Sequence, residues 1–427
     1  MIVAGKGDHL LTRGRGKTCA LVEPRGPLIL AGNDPAQGAC SVCQRPLLGD
    51  GKQLHTDPLP PELGEGREHI HVPRAWRLCL EQDERPHQLR YLRQIAEVIG
   101  IVQPIADEAG GNLAPDLGDD GVAIGETALL ARGALSPDLE LVGATSVNGN
   151  TSIEYTTENT LRVFDWIGMP DVPVYRGMDR PMIRTDVKRG MAARIHGDML
   201  DLPEVSHGAK LQDGHAVDWL IETYLASASD IVLCPVGPLT NIAMAILREP
   251  RIVERIPEIV IMGGAHDHGN ITASAEFNIW LDPEAARIVV NCGAPIRMVP
   301  LDATHQALVS TEDAARLRAL GTPAGEAAAR FVLQRIDGYD ATQPMPRRGD
   351  ALAAPVHDAL AVCAIIDPAI LTTEFIPVDV ETQGISIGRT VCDRRFRSGK
   401  PANVHFALDA DEPKFNRMLL EILGRTA

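Results

Sequence analysis

Amides, glycines and one carboxylate gather in three short stretches: Asn148-Gly149-Asn150, Gly237-Pro238-Leu239-Thr240-Asn241, and Gly263-Gly264-Ala265 running on to Asn270 and Glu276-Phe277-Asn278. Singly, each reads as a turn or a helix cap, because Asn and Gly are ordinary turn formers. Together they suit a polyol, since a carboxylate or amide oxygen accepts from one hydroxyl while a neighbouring amide donates to the next. Elsewhere an acidic stretch over 113–126 holds Asp116, Asp119 and Asp120, and His357, followed by Asp358, reads when taken alone as a packed histidine at a helix start. Gly14-Arg15-Gly16-Lys17-Thr18 lacks the full spacing and the upstream strand of a phosphate loop, and no dinucleotide fingerprint follows any strand.

The elements that must carry these residues are legible from about residue 97 onward. Apolar, β-branched runs of five to eight residues alternate with amphipathic stretches of ten to fifteen, the pattern of βαβ units. The clearest strands cover 139–147, 230–236, 258–262 and 296–299, with helices near 154–168, 214–227, 239–248 and 283–292. The strands alternate little, as expected when helices cover both faces of a sheet. The tail predicts helices near 311–337, 356–366 and 412–424, and strands near 374–380, 385–391 and 403–408. The fold class is therefore α/β, an open, mostly parallel, Rossmann-like sheet with helices on both faces. In such sheets ligands bind beyond the carboxyl ends of the strands, which is where the amide-rich stretches fall.

Length and charge narrow the function. The chain has 427 residues and a formal charge of −16, the wrong sign for wrapping a polyanion, so nucleic acid is not an expected partner. No apolar run reaches the roughly 18 residues that cross a bilayer, and a cytoplasmic protein without membrane partners is expected. The eight cysteines are scattered, and reduced thiols are expected. Residues 1–95 carry 13 Lys/Arg against 11 Asp/Glu, so the excess acid lies downstream. That texture divides the chain into a Gly/Pro-rich, irregular extension over 1–96 and a main domain over 97–427. Cys40 and Cys43 have the C-x₂-C spacing of a zinc knuckle, which His55, His69, His71 and Cys79 could complete, so a structural Zn²⁺ is one way for the extension to fold. Two unrelated loop cysteines are the other reading.

Five segments resemble the nucleoside hydrolases, the inosine-uridine preferring family: VGATSVNGN (142–150), HGD (196–198), PVGPLTNIA (235–243), IVIMGGAHDHGNITASAEFNIWLDPEAA (259–286) and PVHDALAV (355–362). The likeness runs in the family's order from about residue 115 to the C-terminus. It implies hydrolysis of the N-glycosidic bond of ribonucleosides to ribose and free base, with a water nucleophile held by one Ca²⁺ per subunit, no organic cofactor, and a homodimer or homotetramer. By the same resemblance Asp358 and the main-chain carbonyl of Val236 are metal ligands, Asn150, Asn270, Glu276 and Asn278 grip the ribose hydroxyls, and Met262 lies under the sugar. His357 stands near the leaving base as general acid, and His196 lies near the base on a loop. A histidine before the metal aspartate goes with acceptance of pyrimidine as well as purine nucleosides.

The family's opening motif, Asp-x-Asp-Pro-Gly-x-Asp-Asp, is altered. Its nearest counterpart is Ala114-Pro115-Asp116-Leu117-Gly118-Asp119-Asp120, which makes Asp116 a base and metal ligand, Asp120 a metal ligand and Asp119 a ribose ligand. A second register, with Glu108 as base, follows a better strand but lacks the paired acids and needs a longer connection to Ser136-Pro137. The altered turn leaves an alternative function open, a catalytically weak or inactive relative that binds nucleosides or ribose.

Overall fold

The computed structural model describes residues 2–6, 139–185, 204–342 and 351–425, all within one compact unit. Its strands are β1 (Ile2–Lys6), β2 (Leu139–Ser146), β3 (Val174–Arg176), β4 (Ile231–Cys234), β5 (Ile259–Met262), β6 (Ile296–Val299), β7 (Leu308–Ser310), β8 (Ala353–Pro355), β9 (Leu371–Ile376), β10 (Val378–Val380), β11 (Thr390–Cys392) and β12 (Val404–Ala410). The helices are α1 (Ile153–Trp166), α2 (Ala216–Ala226), α3 (Thr240–Arg248), α4 (Phe277–Leu281), α5 (Pro283–Val290), α6 (Leu301–Thr304), α7 (Thr311–Arg318), α8 (Pro323–Thr342), α9 (His357–Ile366) and α10 (Glu412–Leu423).

Eight strands form one sheet in the order β3-β2-β1-β4-β5-β6-β12-β9. Parallel pairing joins β3 to β2, β4 to β5, β5 to β6 and β6 to β12. β1 runs antiparallel to both its neighbours, with Ile2 opposite Ala144 of β2 and Cys234 of β4, and β9 runs antiparallel to β12 at the edge. The mostly parallel α/β architecture read from the sequence is what the structure has. Alternation along β5 explains its two faces. Val260 and Met262 pack with α1, α8, α9 and α10, whereas Ile259 and Ile261 pack with α2, α3 and α5. Burial on both faces is why the strands read as continuous apolar runs.

Several elements differ from the sequence expectation for physical reasons. The single helix expected over 311–337 is two, α7 and α8. Gly321 adopts φ 70° and Pro323 lacks an N–H, so the turn between them stops one helix and starts the next. The strand expected over 374–380 divides into β9 and β10 around Pro377, which cannot donate to a ladder. That expected over 385–391 contracts to β11, which pairs with β10. The three-residue strands β3, β7 and β8 are too short for any periodicity to announce them. Residues 2–6 fall in the extension by texture, yet they fill the slot between β2 and β4.

Because β2, β4, β5 and β6 share a direction, their carboxyl ends lie along one edge of the sheet. The segments at 148–150, 236–241, 263–278 and 301–305 leave from that edge. Among the described residues Cys234, Cys292, Cys363 and Cys392 are unpaired thiols, and no helix is long and apolar enough to cross a membrane.

Candidate active site

The segment after β5 is built around a buried carboxylate. Gly263 and Gly264 have φ 153° and 88°, and a Cβ on Gly264 would fall 2.8 Å from Thr390 Oγ1 and 2.9 Å from Met298 Sδ, so only glycine makes this turn. The turn aims the Gly264 N–H at Glu276 Oε2 (2.9 Å). Glu276 also caps α4, accepting from Asn278 N (2.8 Å) and Ile279 N (3.2 Å). Burial pushes the Glu276 carboxyl up and its three N–H partners pull it back, leaving it at about 7. Asn270 Oδ1 accepts from Phe277 N (3.0 Å), so the group Asn270 can offer a ligand is its NH₂. Asn278 is held the other way round. Its Nδ2 donates to the carbonyls of Met262 (3.3 Å) and Val236 (3.4 Å), while its Oδ1 is buried without a partner.

The ends of β2 and β4 supply more amides, with different roles. Asn241 is structural. Its Nδ2 donates to the Ser146 carbonyl (2.9 Å) and its Oδ1 accepts from Met178 N (2.8 Å), tying the segment after β3 to β2. Asn148 and Asn150 are not consumed in this way. Asn148 Oδ1 and both polar atoms of Asn150 are buried and unpartnered. Leaving such groups bare costs about 1–3 kcal/mol each, a cost that a ligand's hydroxyls or a hard cation would relieve. Asn148 belongs to the first of the amide-rich stretches read from the sequence, whereas the family resemblance gave a ribose contact to Asn150 alone.

His357 and Asp358 open α9, both buried. The positive end of the helix dipole favours the Asp358 carboxylate. Asp358 also lies close enough to the end of β4 to act on Cys234, whose thiol is pushed to about 12, mainly by burial and in part by Asp358. His357 Nδ1 and Thr304 Oγ1 share a 2.6 Å hydrogen bond, which orients the ring. Burial first, then the charges of Arg335 and His305, hold His357 well below its ordinary value, so the imidazole is neutral at pH 7. Thr304, on α6, has no sequence signal as a partner, because the pair spans 53 positions.

The structure thus brings Asn150, Val236, Met262, Asn270, Glu276, Asn278, His357 and Asp358 to segments along one sheet edge. Asp116, Asp119, Asp120 and His196 lie outside the described residues, as do Cys40 and Cys43. Among the described residues no group of three or more His, Cys, Asp or Glu side chains is placed to hold a metal. The described donors nonetheless fit a hard cation. Asp358 is a carboxylate, Val236 O is a carbonyl at the end of β4, and the bare oxygens of Asn148, Asn150 and Asn278 are amides, an all-oxygen set of the kind Ca²⁺ takes.

Comparison with known proteins gives a consistent result. The model of the family "Inosine-uridine preferring nucleoside hydrolase" matches residues 115–417. The inosine-uridine preferring nucleoside hydrolase of Crithidia fasciculata is 41% identical over 315 residues, spanning 72% of this chain and 94% of that protein. A pyrimidine-specific ribonucleoside hydrolase of Escherichia coli O157:H7 is 40% identical over 301 residues, spanning 70% of this chain and 91% of its own length. Among solved structures, the purine-preferring ribonucleoside hydrolase from Gardnerella vaginalis superposes with a TM-score of 0.65 at 34% identity, covering 72% of this chain and 96% of that one. With seven of the sheet's eight strands, the glycine turn and the capped Glu276 falling inside the matched region, the chain belongs to the inosine-uridine preferring nucleoside hydrolase family.

Proposed function

We propose that the protein hydrolyses the N-glycosidic bond of ribonucleosides, releasing ribose and a free base, at the carboxyl edge of its sheet. The observation that carries this reading is the set of buried, unpartnered amide atoms on Asn148, Asn150 and Asn278 beside a capped, buried Glu276. Such a surface is costly when bare and complementary to a furanose bearing vicinal hydroxyls. Glu276 and the Asn278 oxygen accept from ribose hydroxyls, the Asn270 NH₂ donates to one, and Met262 supplies the apolar floor. As the bond to the base breaks, the sugar gains positive charge, which nearby carboxylates stabilise, and the base gains negative charge. His357, neutral and oriented by Thr304, gives a hydrogen bond to the departing base as negative charge develops on it.

One Ca²⁺ per subunit, held by Asp358, the Val236 carbonyl, Asp116 and Asp120, would supply a local positive charge that eases deprotonation of a water and anchors the diol. Asp116 takes the proton of the attacking water, Asp119 binds a ribose hydroxyl and His196 lies near the base. The similar proteins named above span inosine-uridine, pyrimidine and purine preferences, and His357 favours acceptance of pyrimidine alongside purine nucleosides. Subunits pairing as a homodimer or homotetramer complete the reading.

Calcium-saturated full-length protein incubated with uridine and with inosine should release free base and reducing sugar in equal amounts, and metal analysis should find about one calcium per chain. Binding of ribose with no release of base from either nucleoside would leave only the alternative, a binding relative with an altered acidic turn.

A further inference from the structure

α6 and the residue after it are tied to three different places. Asp302 accepts from the backbone N–H groups of His266 (2.8 Å) and Asp267 (3.1 Å), and Thr304 bonds His357. His305, which caps α6, turns its Nδ1 to His268 Nε2 at 3.2 Å, with ring centroids 5.3 Å apart and planes tilted by 39°. His268 is exposed, whereas His305 is half-buried and its Nε2 finds no partner, so the ring's polar contact is through Nδ1 alone.

We propose that His268 and His305 form a two-imidazole chelate for a borderline divalent transition-metal ion such as Zn²⁺, separate from the oxygen-lined calcium position and completed by water. At Zn–N bonds of about 2.0–2.1 Å, two imidazoles on one ion at octahedral to tetrahedral angles stand about 2.9–3.4 Å apart. The observed 3.2 Å lies inside that interval, so the rings need little movement to share an ion. The surroundings hold them there. Asp302 fixes the backbone that carries His268, and the Thr304–His357 bond anchors the helix that carries His305. Binding requires neutral imidazole. Burial first, and then the nearby His268, lower the His305 imidazole to about 4, so its lone pair is available at pH 7. Nitrogen donors favour Zn²⁺, Cu²⁺ or Ni²⁺ over Ca²⁺, which prefers oxygen, so calcium at Asp358 and a transition metal here do not compete. His268 closes the HDH run over 266–268, which the ribose-binding role of the block does not absorb.

The test is calorimetric titration of ZnCl₂ into the full chain, stripped with chelator and then saturated with calcium, for wild type, His268→Ala and Asp302→Asn. Because Cys40 and Cys43 could also take zinc, the stoichiometry is read as a difference between proteins. Wild type should bind one more zinc per chain than His268→Ala, and Asp302→Asn should keep that site with affinity weakened about 10–100-fold. X-ray absorption at the zinc edge, compared between wild type and His268→Ala, should lose imidazole scattering in the variant. Equal stoichiometry and affinity in wild type and His268→Ala, or unchanged zinc-edge spectra, would overturn the site. None of these readouts depends on nucleoside hydrolysis.

Discussion

At the scale of single residues, the site is a set of polar groups half used by the protein. Asn278 and Asn270 are each fixed by one end of the amide, which leaves the other end, an oxygen in one and an NH₂ in the other, to face a ligand. Glu276 is the carboxyl of the site whose charge the fold resists. Its pKa of about 7 stands above the ordinary 4.5, so the folded protein keeps this proton more tightly than the unfolded chain does. Stability from this source is therefore fully present below pH 4.5 and is lost as pH rises to about 7, above which the difference is constant. Glu276→Gln removes the titration. Denaturant unfolding of both proteins without ligand should show the variant gaining on wild type between pH 4.5 and 7 and running parallel above about 8. Parallel curves throughout would show that Glu276 is not held protonated by burial. Above about pH 7, where wild-type Glu276 is ionised, the variant should also lose about 10-fold or more in kcat/KM, because a neutral amide replaces a charged acceptor whose hydrogen bonds contribute about 1.5–3 kcal/mol.

Elements explain why these residues meet, and what could be read in advance. Glu276, Asn278 and the Gly263-Gly264 turn were legible because a single contiguous block carries both the turn and the cap that it serves. The four central strands were legible because β-branched runs buried on both faces have no other use. Other features had no local signal. Thr304 became the partner of His357 only through the packing of α6 against α9, and Asn241 turned out to pin the segment after β3 rather than to face a ligand. The least legible element is β1. Five residues in a charged, glycine-rich setting look like part of an irregular extension, and only pairing with strands well over a hundred residues away gives them a place. Its presence between β2 and β4 has a measurable consequence. Deleting Met1–Lys6 removes ladder hydrogen bonds on both sides of a central slot, each worth about 0.5–1.5 kcal/mol, and should lower the melting temperature by about 5 °C or more. An unchanged melting temperature would mean that β2 and β4 do not depend on that strand.

At the scale of the molecule, six strands of common direction put every amide-rich segment on one edge, and the whole-chain charge of −16 disfavours a polyanionic partner. The acids that would complete the site come from two distant parts of the chain, the 113–120 stretch and the start of α9. Asp358 is the member whose burial and position are described, and it comes from a different element than the 263–278 segment, so its removal tests the convergence of distant parts of the chain. The decisive measurement is the rate of base release from uridine and inosine by wild type and Asp358→Ala in saturating calcium, with far-UV spectra and melting curves showing that both are folded. Wild type should turn over both nucleosides and the variant should fall by about 10²–10³-fold or more, the loss expected when a principal charge-stabilising group is removed. Turnover by Asp358→Ala close to that of wild type would contradict a site built around this carboxylate.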